Sequence, residues 1–450
     1  MKAVKKEALK MKTRAYYREL TFTGDSSVKG NVVRGVAFGN CFCQDGVVQN
    51  VPEWLPVFRP DDAQYKSSIT NILEFGTLKL YDDTDGVFDD IGYIVTATGN
   101  FFLFVKSLSV FYTVATQVGK MCPFAVMGKS GTFVALCTEG KLLYVAMNGV
   151  SETVVETDVL PAGALFKHRV FVAMKGGFLK CSAPENFKEF DPAQGGGLIG
   201  FPNMGGEIVA MKAYGDALYL FFENGIMRLE VRGDASDFYA EKLDYTGEKI
   251  YSRTVCVCEN GLYFMTKDGV YRVQGRKAER LDFFVGVSAF ETDLEGCSVF
   301  KGRPIFQYQD NENVKKIAWL NKDEKSMTFL HEIMGVAVGG NGEALVLDKK
   351  RTLWRLSDKG NIWYSGAFTA ADTDFGFAGR KTLRKIRLEG TGSVTLTLTN
   401  GKRSWVRAFD LSNGFAEAEL SERGERFGLS FALDRESTLV KMRVEFETVT

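Results

Sequence analysis

Histidine and proline are scarce in this sequence, and its positive and negative charges balance. Its 450 residues include only 2 His and 9 Pro, and 56 Lys and Arg balance 56 Asp and Glu. Two histidines leave little material for zinc sites or for nucleophile triads that depend on histidine. A formal net charge of zero gives no electrostatic argument for binding nucleic acid or an anionic membrane surface.

The sequence also lacks the patterns of a secretory signal and of a transmembrane helix. Residues 1–10 are charged and contain no apolar h-region. The densest apolar stretch, 101–115, is interrupted by Lys106 and is shorter than the roughly 18 residues of a candidate span. We therefore expect a soluble protein without a membrane span, made in a cytoplasm, whose cysteines stay reduced.

Glycine and phenylalanine are abundant, with 47 Gly and 36 Phe. Helical periodicity is almost absent, whereas short apolar or alternating runs bounded by Gly, Asp or Asn recur along the chain. Such runs are typical of short strands that are joined by tight turns. The composition and the pattern together predict an all-β protein.

One hairpin pattern repeats in the middle of the chain. An apolar strand is followed by a Gly-containing turn and a second apolar strand, as at Asn224-Gly225 and at Asp268-Gly269. Gly269 is expected at positive φ, which such turns require. Arg228 and Arg272 occupy the same place in successive hairpins, at the interval of about 40–45 residues of a four-stranded propeller blade. We predict a β-propeller of about six or seven blades over 65–360.

The two ends of the chain depart from this rhythm. Residues 1–64 are predicted to form an N-terminal arm whose strands start the propeller, close it or stay separate. Residues 361–450 alternate apolar and polar positions, which predicts a C-terminal antiparallel β-sandwich. We expect this module to pack beside the propeller and to carry part of the interface with neighbours. The alternative is a passive cap on the last blade.

Three local patterns could carry chemistry, and each has a simpler structural interpretation. Cys41 with Cys43 and Cys256 with Cys258 have the Cys-x-Cys spacing, which favours buried core cysteines over a metal site. Residues 195–200 formally contain GxGxxG, but Pro202 opposes the helix that a dinucleotide site requires, so we predict an inter-strand loop. The carboxylates of one loop could bind calcium, although an exposed turn is favoured: Asp83, Asp85, Asp89 and Asp90.

No catalytic, cofactor-binding or metal-binding residue is predicted, and no cofactor. His168 belongs to no nucleophile motif and is predicted to lie in an apolar strand. His331 belongs to no such motif either, and both histidines are interpreted as structural. Glycosidase propellers use carboxylate pairs without local signatures, so a hydrolase stays an alternative. Six aromatic residues recur with the repeat and favour packing between blades over a carbohydrate site: Tyr219, Tyr263, Tyr271, Trp319, Trp354 and Trp363.

Segments 169–187, 218–226 and 263–272 resemble sequence patterns of phage-encoded propeller proteins. The family is that of the tail hub, nozzle and stabilisation proteins of short-tailed bacteriophages and their relatives. The similarity spans about residues 160–280 and continues more weakly to 356. No catalytic motif matches, so no functional residue of the family is assigned to this sequence.

The resemblance implies a non-enzymatic structural component of the virion tail or neck, synthesised in the bacterial host. It also implies partners: other copies of the chain in a ring, with six as the family expectation, and portal, adaptor or tail proteins. Two alternatives stay open. One is a surface-binding propeller for a glycan or protein receptor, and the other, less favoured, is a propeller hydrolase.

Overall fold

In the residues that the structure describes, all the regular structure is β-strand, apart from three single-turn 3-10 helices at Pro192–Gln194, Ala235–Asp237 and Ser252–Thr254. The predicted all-β class is therefore confirmed. The computed structural model describes residues 13–23, 31–51, 54–58, 72–82, 87–96, 100–105, 110–115, 120–128, 131–146, 149–281, 291–309, 315–320, 327–330, 333–336, 345–348, 353–356, 365–401 and 403–449. In these ranges no helix is long and apolar enough to cross a membrane.

The strands are numbered in chain order. The first nineteen are β1 (Thr13–Thr23), β2 (Val32–Gly39), β3 (Cys41–Gln44), β4 (Val47–Asn50), β5 (Trp54–Phe58), β6 (Ile72–Asp82), β7 (Val87–Thr96), β8 (Asn100–Val105), β9 (Val110–Ala115), β10 (Met121–Gly128), β11 (Gly131–Thr138), β12 (Gly140–Val145), β13 (Ser151–Phe166), β14 (Arg169–Met174), β15 (Phe178–Cys181), β16 (Gly197–Gly200), β17 (Ile208–Tyr214), β18 (Ala217–Phe222) and β19 (Gly225–Glu230). The others are β20 (Tyr239–Lys242), β21 (Cys256–Cys258), β22 (Gly261–Thr266), β23 (Gly269–Gln274), β24 (Lys277–Arg280), β25 (Glu291–Phe300), β26 (Arg303–Gln309), β27 (Lys315–Leu320), β28 (Met327–Phe329), β29 (Ile333–Val336), β30 (Leu345–Asp348), β31 (Leu353–Leu356), β32 (Gly366–Ala370), β33 (Lys381–Thr391), β34 (Ser393–Thr399), β35 (Ser404–Asp410), β36 (Phe415–Gly424), β37 (Gly428–Leu433) and β38 (Thr438–Val449).

The chain divides into two compact units. Met1–Trp54, Trp319–His331 and Ser357–Thr450 form one, which we name the terminal unit because the first and last strands belong to it. Leu55–Ala318 and Glu332–Leu356 form the other, which we name the central unit. This division joins the first 54 residues to the last segment of the chain, whereas the three ranges 1–64, 65–360 and 361–450 stay a prediction.

The terminal unit contains two layers of strands. One layer runs in the order β1-β38-β33-β36, and the other runs β2-β32-β37-β34-β35. β2 joins the two, since it pairs with β1 in parallel and with β32 antiparallel. Alternate residues of both layers meet in one apolar core, for example Ile386 of β33, Leu396 of β34 and Val444 of β38. The strict alternation seen in the sequence thus reflects strands with one buried face each.

The central unit consists mainly of sheets whose consecutive strands pair antiparallel. These are β6–β9, the seven-stranded β10–β16, β17–β20 and β21–β24, and a further sheet runs β29-β30-β31-β5. β25 and β26 form another hairpin. Sheets that follow each other in the chain share apolar cores. One core joins β6–β8 to β10–β12, a second joins β13–β15 to β17–β19, and a third joins β17–β19 to β22–β24.

The repeated hairpins are confirmed, although their turns lie one residue earlier than predicted. Phe222 pairs with Gly225, and Thr266 pairs with Gly269, so each glycine opens the second strand and follows a two-residue turn. Gly269 has φ +145°, which confirms the predicted positive value. A β-carbon there would also lie 3.3 Å from Nε of Arg280.

Candidate functional site

Residues 195–196 of the glycine-rich run lie in a loop, as predicted, whereas Gly197–Gly200 forms an edge strand, which the prediction missed. Gly195 ends the 3-10 turn Pro192–Gln194 with φ +89°, and Gly197–Gly200 pairs with β15 as strand β16. No helix follows this run in the described residues, and a β-carbon on Gly196 would lie 2.4 Å from the backbone of Phe190. These glycines therefore allow close packing of the backbone, and they form no phosphate cradle of the dinucleotide type.

A buried arginine holds this loop. Arg169 is 2 % exposed, and its guanidinium donates hydrogen bonds to the carbonyls of Ser182 (2.8 Å), Gly195 (2.5 Å) and Gly233 (2.9 Å). The ring of Phe238 lies 5.6 Å from the guanidinium carbon. A planar guanidinium has five N–H donors in a fixed fork, so one side chain can join three backbone segments.

Three of the four predicted core cysteines, Cys41, Cys256 and Cys258, are buried, whereas Cys43 is half-buried. Sγ of Cys256 lies 4.0 Å from Sγ of Cys258, and both thiols are 5 % exposed. Burial raises the pKa of Cys256 well above its usual range and raises the pKa of Cys41 to about 12. In the described part of the chain no three His, Cys, Asp or Glu residues group as a metal site would require.

Of the two histidines and the carboxylate loop, the structure describes His168 and the backbone of Asp89 and Asp90. His168 lies in a two-residue turn after β13 and not in a strand, which corrects the sequence interpretation. Lys167 and His168 have φ values of 43° and 58°, and Nδ1 of His168 lies 2.8 Å from the Glu185 carboxylate. His331, Asp83 and Asp85 lie outside the described residues. Asp89 and Asp90 belong to β7, but their side chains lie outside the described set.

The repeated aromatic residues pack in cores where their side chains are described. Tyr219 and Tyr271 belong to the core between the third and fourth sheets of the central unit. Tyr263 is fully buried and donates a hydrogen bond to Asn260. In the terminal unit the ring of Trp319 lies 5.1 Å from that of Phe42. Packing therefore accounts for these four; Trp354 is half-buried, and Trp363 lies outside the described residues.

A cavity of about 240 Å³ lies where strands from successive sheets of the central unit approach each other. Its walls come from β6, β7, β10, β13, β17 and the segment before β21, and we name it the apolar cavity. The wall side chains are mainly apolar, and three cationic residues join them: Lys120, Lys212 and Arg253. Sequence reasoning missed this cavity. No local signal marks it, since Lys120, Lys212 and Arg253 are each unremarkable in their own segments.

A second cavity of about 430 Å³ adjoins the first in the central unit, and we name it the charged cavity. Five residues line both: Lys120, Pro161, Val209, Ser252 and Arg253. Its carboxylates have local partners. Nζ of Lys249 lies 2.5 Å from the Glu223 carboxylate, and Glu207 accepts two backbone N–H groups at 2.9 Å.

The two outer faces of the terminal unit differ in charge. On the layer β1-β38-β33-β36, Glu19 lies 2.8 Å from Lys441 and 3.0 Å from Arg443. The pKa of Glu19 is lowered chiefly by its hydrogen bond from Lys441. Ion pairs continue across this face, joining Arg443 and Arg387 to Glu389, Arg387 and Lys385 to Glu417, and Arg384 to Glu447.

The outer face of the layer β32-β37-β34-β35 is uncharged over most of its width, and we name it the uncharged face. Val406, 59 % exposed, lies midway along the edge strand β35, opposite Thr397. Asp410 marks one end of this face. β35 pairs only with β34 among the strands described, so its other edge is unpaired. The outward residues are small: Ala367, Thr369, Ser393, Thr395, Thr397, Thr399, Ser404, Val406, Ala408, Ser430 and Ala432.

No protein-family model matches the chain, and no curated protein sequence matches it. Among solved structures, the crystal structure of the computationally designed Ika8 protein is similar over 67% of this chain and 93% of that chain. The two are 11% identical, with a TM-score of 0.38. A likeness at that level carries no argument. The resemblance to phage tail proteins therefore stays a prediction.

Proposed function

We propose that this chain is a non-enzymatic structural component of a bacteriophage virion. Its place would be the tail hub, the nozzle, the neck or the tail-stabilisation layer, where copies form a ring with portal and tail neighbours. In this proposal the central unit is a β-propeller and the terminal unit is an assembly sandwich. The segment resemblance suggested this function, and two features of the fold support it.

The order of the sheets in the central unit supports the propeller. Strands meander within each sheet, and sheets that follow each other share cores, as blades around an axis do. β5, the first strand of this unit, joins the sheet of β29, β30 and β31, its last strands. A ring of blades is held closed by such a pairing of its ends. Taking β10–β16 as two blades that share β13, and β25–β27 as part of another, gives seven blades.

The uncharged face carries the assembly part of the proposal. Its Thr, Ser, Ala and Val side chains cost less free energy to desolvate than the many charges of the ion-paired layer would. The neighbouring copy in the ring is the occupant that we propose. The unpaired edge of β35 adds backbone donors and acceptors beside this face, which a neighbour can satisfy.

One substitution tests this assembly. Val406→Lys places a charge on the uncharged face beside the unpaired edge of β35, and we expect it to prevent ring formation because the charge would be desolvated without a partner. The matched control is Val440→Lys, since Val440 is an exposed valine of β38 in the ion-paired layer. Native mass spectrometry and negative-stain images of both variants and the unchanged protein give the oligomer mass and shape.

We expect rings for the unchanged protein and for Val440→Lys, and single chains for Val406→Lys. Rings of Val406→Lys would refute the role of the uncharged face. A protein that stays a single chain at high concentration, and is absent from purified phage particles, would refute the virion function itself.

The apolar cavity favours a second candidate function, a surface-binding propeller for a glycan or protein receptor. Concave sites with a few polar groups in apolar walls are typical of ligand binding. A glycan array, together with host-adsorption assays in the presence of antibody, tests it. An array without hits and adsorption that the antibody leaves unaltered would exclude it.

A further inference from the structure

The three cations of the apolar cavity come from different parts of the central unit. Lys120 immediately precedes β10, Lys212 lies on β17, and Arg253 lies in the 3-10 turn before β21. Among the described residues that line this cavity, none carries a carboxylate. No ion pair joins Lys120 or Lys212 to a carboxylate in the described ranges.

The charged cavity next to it is different, because it contains carboxylates as well as cations. There Lys249 is paired with Glu223, at 2.5 Å. Cations beside apolar walls are unfavourable unless an anion or hydrogen-bond acceptors compensate them. Lys120 and Arg253 line both cavities, whereas Lys212 lines the apolar cavity alone, where the described lining includes no carboxylate.

The walls of the apolar cavity suit the rest of a ligand. They include the buried side chains of Met121, Met211 and Val255, together with the aromatic rings of Tyr93 and Phe124. The volume of about 240 Å³ exceeds that of an engineered apolar cavity of about 150 Å³ that binds benzene. A compact apolar group with one charged substituent fits this space.

We propose that the apolar cavity binds a small organic anion, a carboxylate carried on a compact apolar body. The ammonium groups of Lys120 and Lys212 hold the carboxylate, and the apolar walls cover the body. Charge-assisted hydrogen bonds of this kind are among the strongest that a protein makes with a ligand. The argument for this ligand site does not use the virion function, since it is based only on the residues that line a cavity of the central unit.

The test uses the full chain and three probes at constant ionic strength. Benzoate supplies both the carboxylate and the apolar body, benzyl alcohol supplies a similar body without the charge, and inorganic phosphate supplies charge without the body. Isothermal calorimetry measures binding of each probe to the unchanged protein. It is repeated with Lys120→Met and Lys212→Met, which keep the apolar stem, and with Lys212→Arg, which keeps the charge. Lys249→Met in the charged cavity is the matched control.

We expect saturable benzoate binding with a stoichiometry of about one per chain, and weaker binding of the other two probes. Each Lys→Met change in the apolar cavity should weaken benzoate binding about tenfold or more, while Lys212→Arg and Lys249→Met keep it. Circular dichroism of the variants confirms that they are folded. Equal affinity for benzoate and benzyl alcohol, equal affinity for benzoate and phosphate, no saturable benzoate binding, or unchanged affinity in folded Lys120→Met and Lys212→Met would each overturn the proposal.

Discussion

Replacing Arg169 by methionine should loosen the two loops that its guanidinium joins. The change removes hydrogen bonds to the carbonyls of Ser182, Gly195 and Gly233. The Ser182 carbonyl is buried and loses its charged donor at a cost of about 1–3 kcal/mol. The two glycine carbonyls are only part-buried, so water replaces the guanidinium there, and each loss costs about 0.5–1.5 kcal/mol. Methionine also relieves the desolvation of a buried charge. The net cost is therefore about 2–4 kcal/mol.

Hydrogen exchange measures this effect locally, which matters because a chain of two compact units need not unfold in one step. We expect amides of 191–200 and 231–237 to exchange faster in Arg169→Met, with smaller changes in β33 and β38. In Arg169→Lys these amides should exchange at rates between those of the unchanged protein and those of Arg169→Met, since one ammonium cannot span three carbonyls. The control is Arg232→Met, because Arg232 is 70% exposed and paired with Glu230 at the surface. Equal exchange in Arg169→Met and Arg232→Met would refute the argument.

Two further predictions concern the central unit. Gly269→Val should destabilise by about 1–3 kcal/mol, because φ +145° is strained for a residue with a β-carbon; a melting temperature equal to that of the unchanged protein would contradict the hairpin geometry. Stability should also fall above about pH 9. Burial raises the pKa of Cys137, so the unfolded chain loses its thiol proton at lower pH than the folded chain, at up to about 1.4 kcal/mol per pH unit. Denaturant midpoints at about pH 8 and pH 10.5 measure the drop. Cys137→Ala should make the drop smaller, and an unchanged drop would exclude this thiol as a cause.

Local features of the fold could be predicted from the sequence because their causes are local. Asp268-Gly269 indicated a hairpin, and the structure has one there with the glycine at positive φ. His168 was misplaced for a local reason too. Lys167 and His168 form a turn with positive φ at both residues, where asparagine and glycine are usual, so the turn carried no composition signal.

Pairing between distant strands could not be predicted in this way. β1 pairs with β38 over nine residue pairs, from Thr13 with Val449 to Thr21 with Lys441. Alternation tells which face of each strand is buried, but it does not tell which strand lies beside it. The apolar cavity could not be predicted from the sequence for the same reason. Lys120 and Lys212 are unremarkable in their own segments, and only the arrangement of the sheets brings them to one space.

Because β1 pairs with β38, β1 is without its partner strand until the end of the chain has been synthesised. Glu19 and its partner Arg443 are 424 residues apart in the chain. At bacterial and eukaryotic rates of about 5–20 residues per second, β1 is made about 20–80 s before its partner exists. Leu20 and Phe22, buried in the finished terminal unit, stay without their core for that time. Arg14, Arg18 and Glu19 are interspersed in the same strand, and such charges oppose premature pairing with other chains.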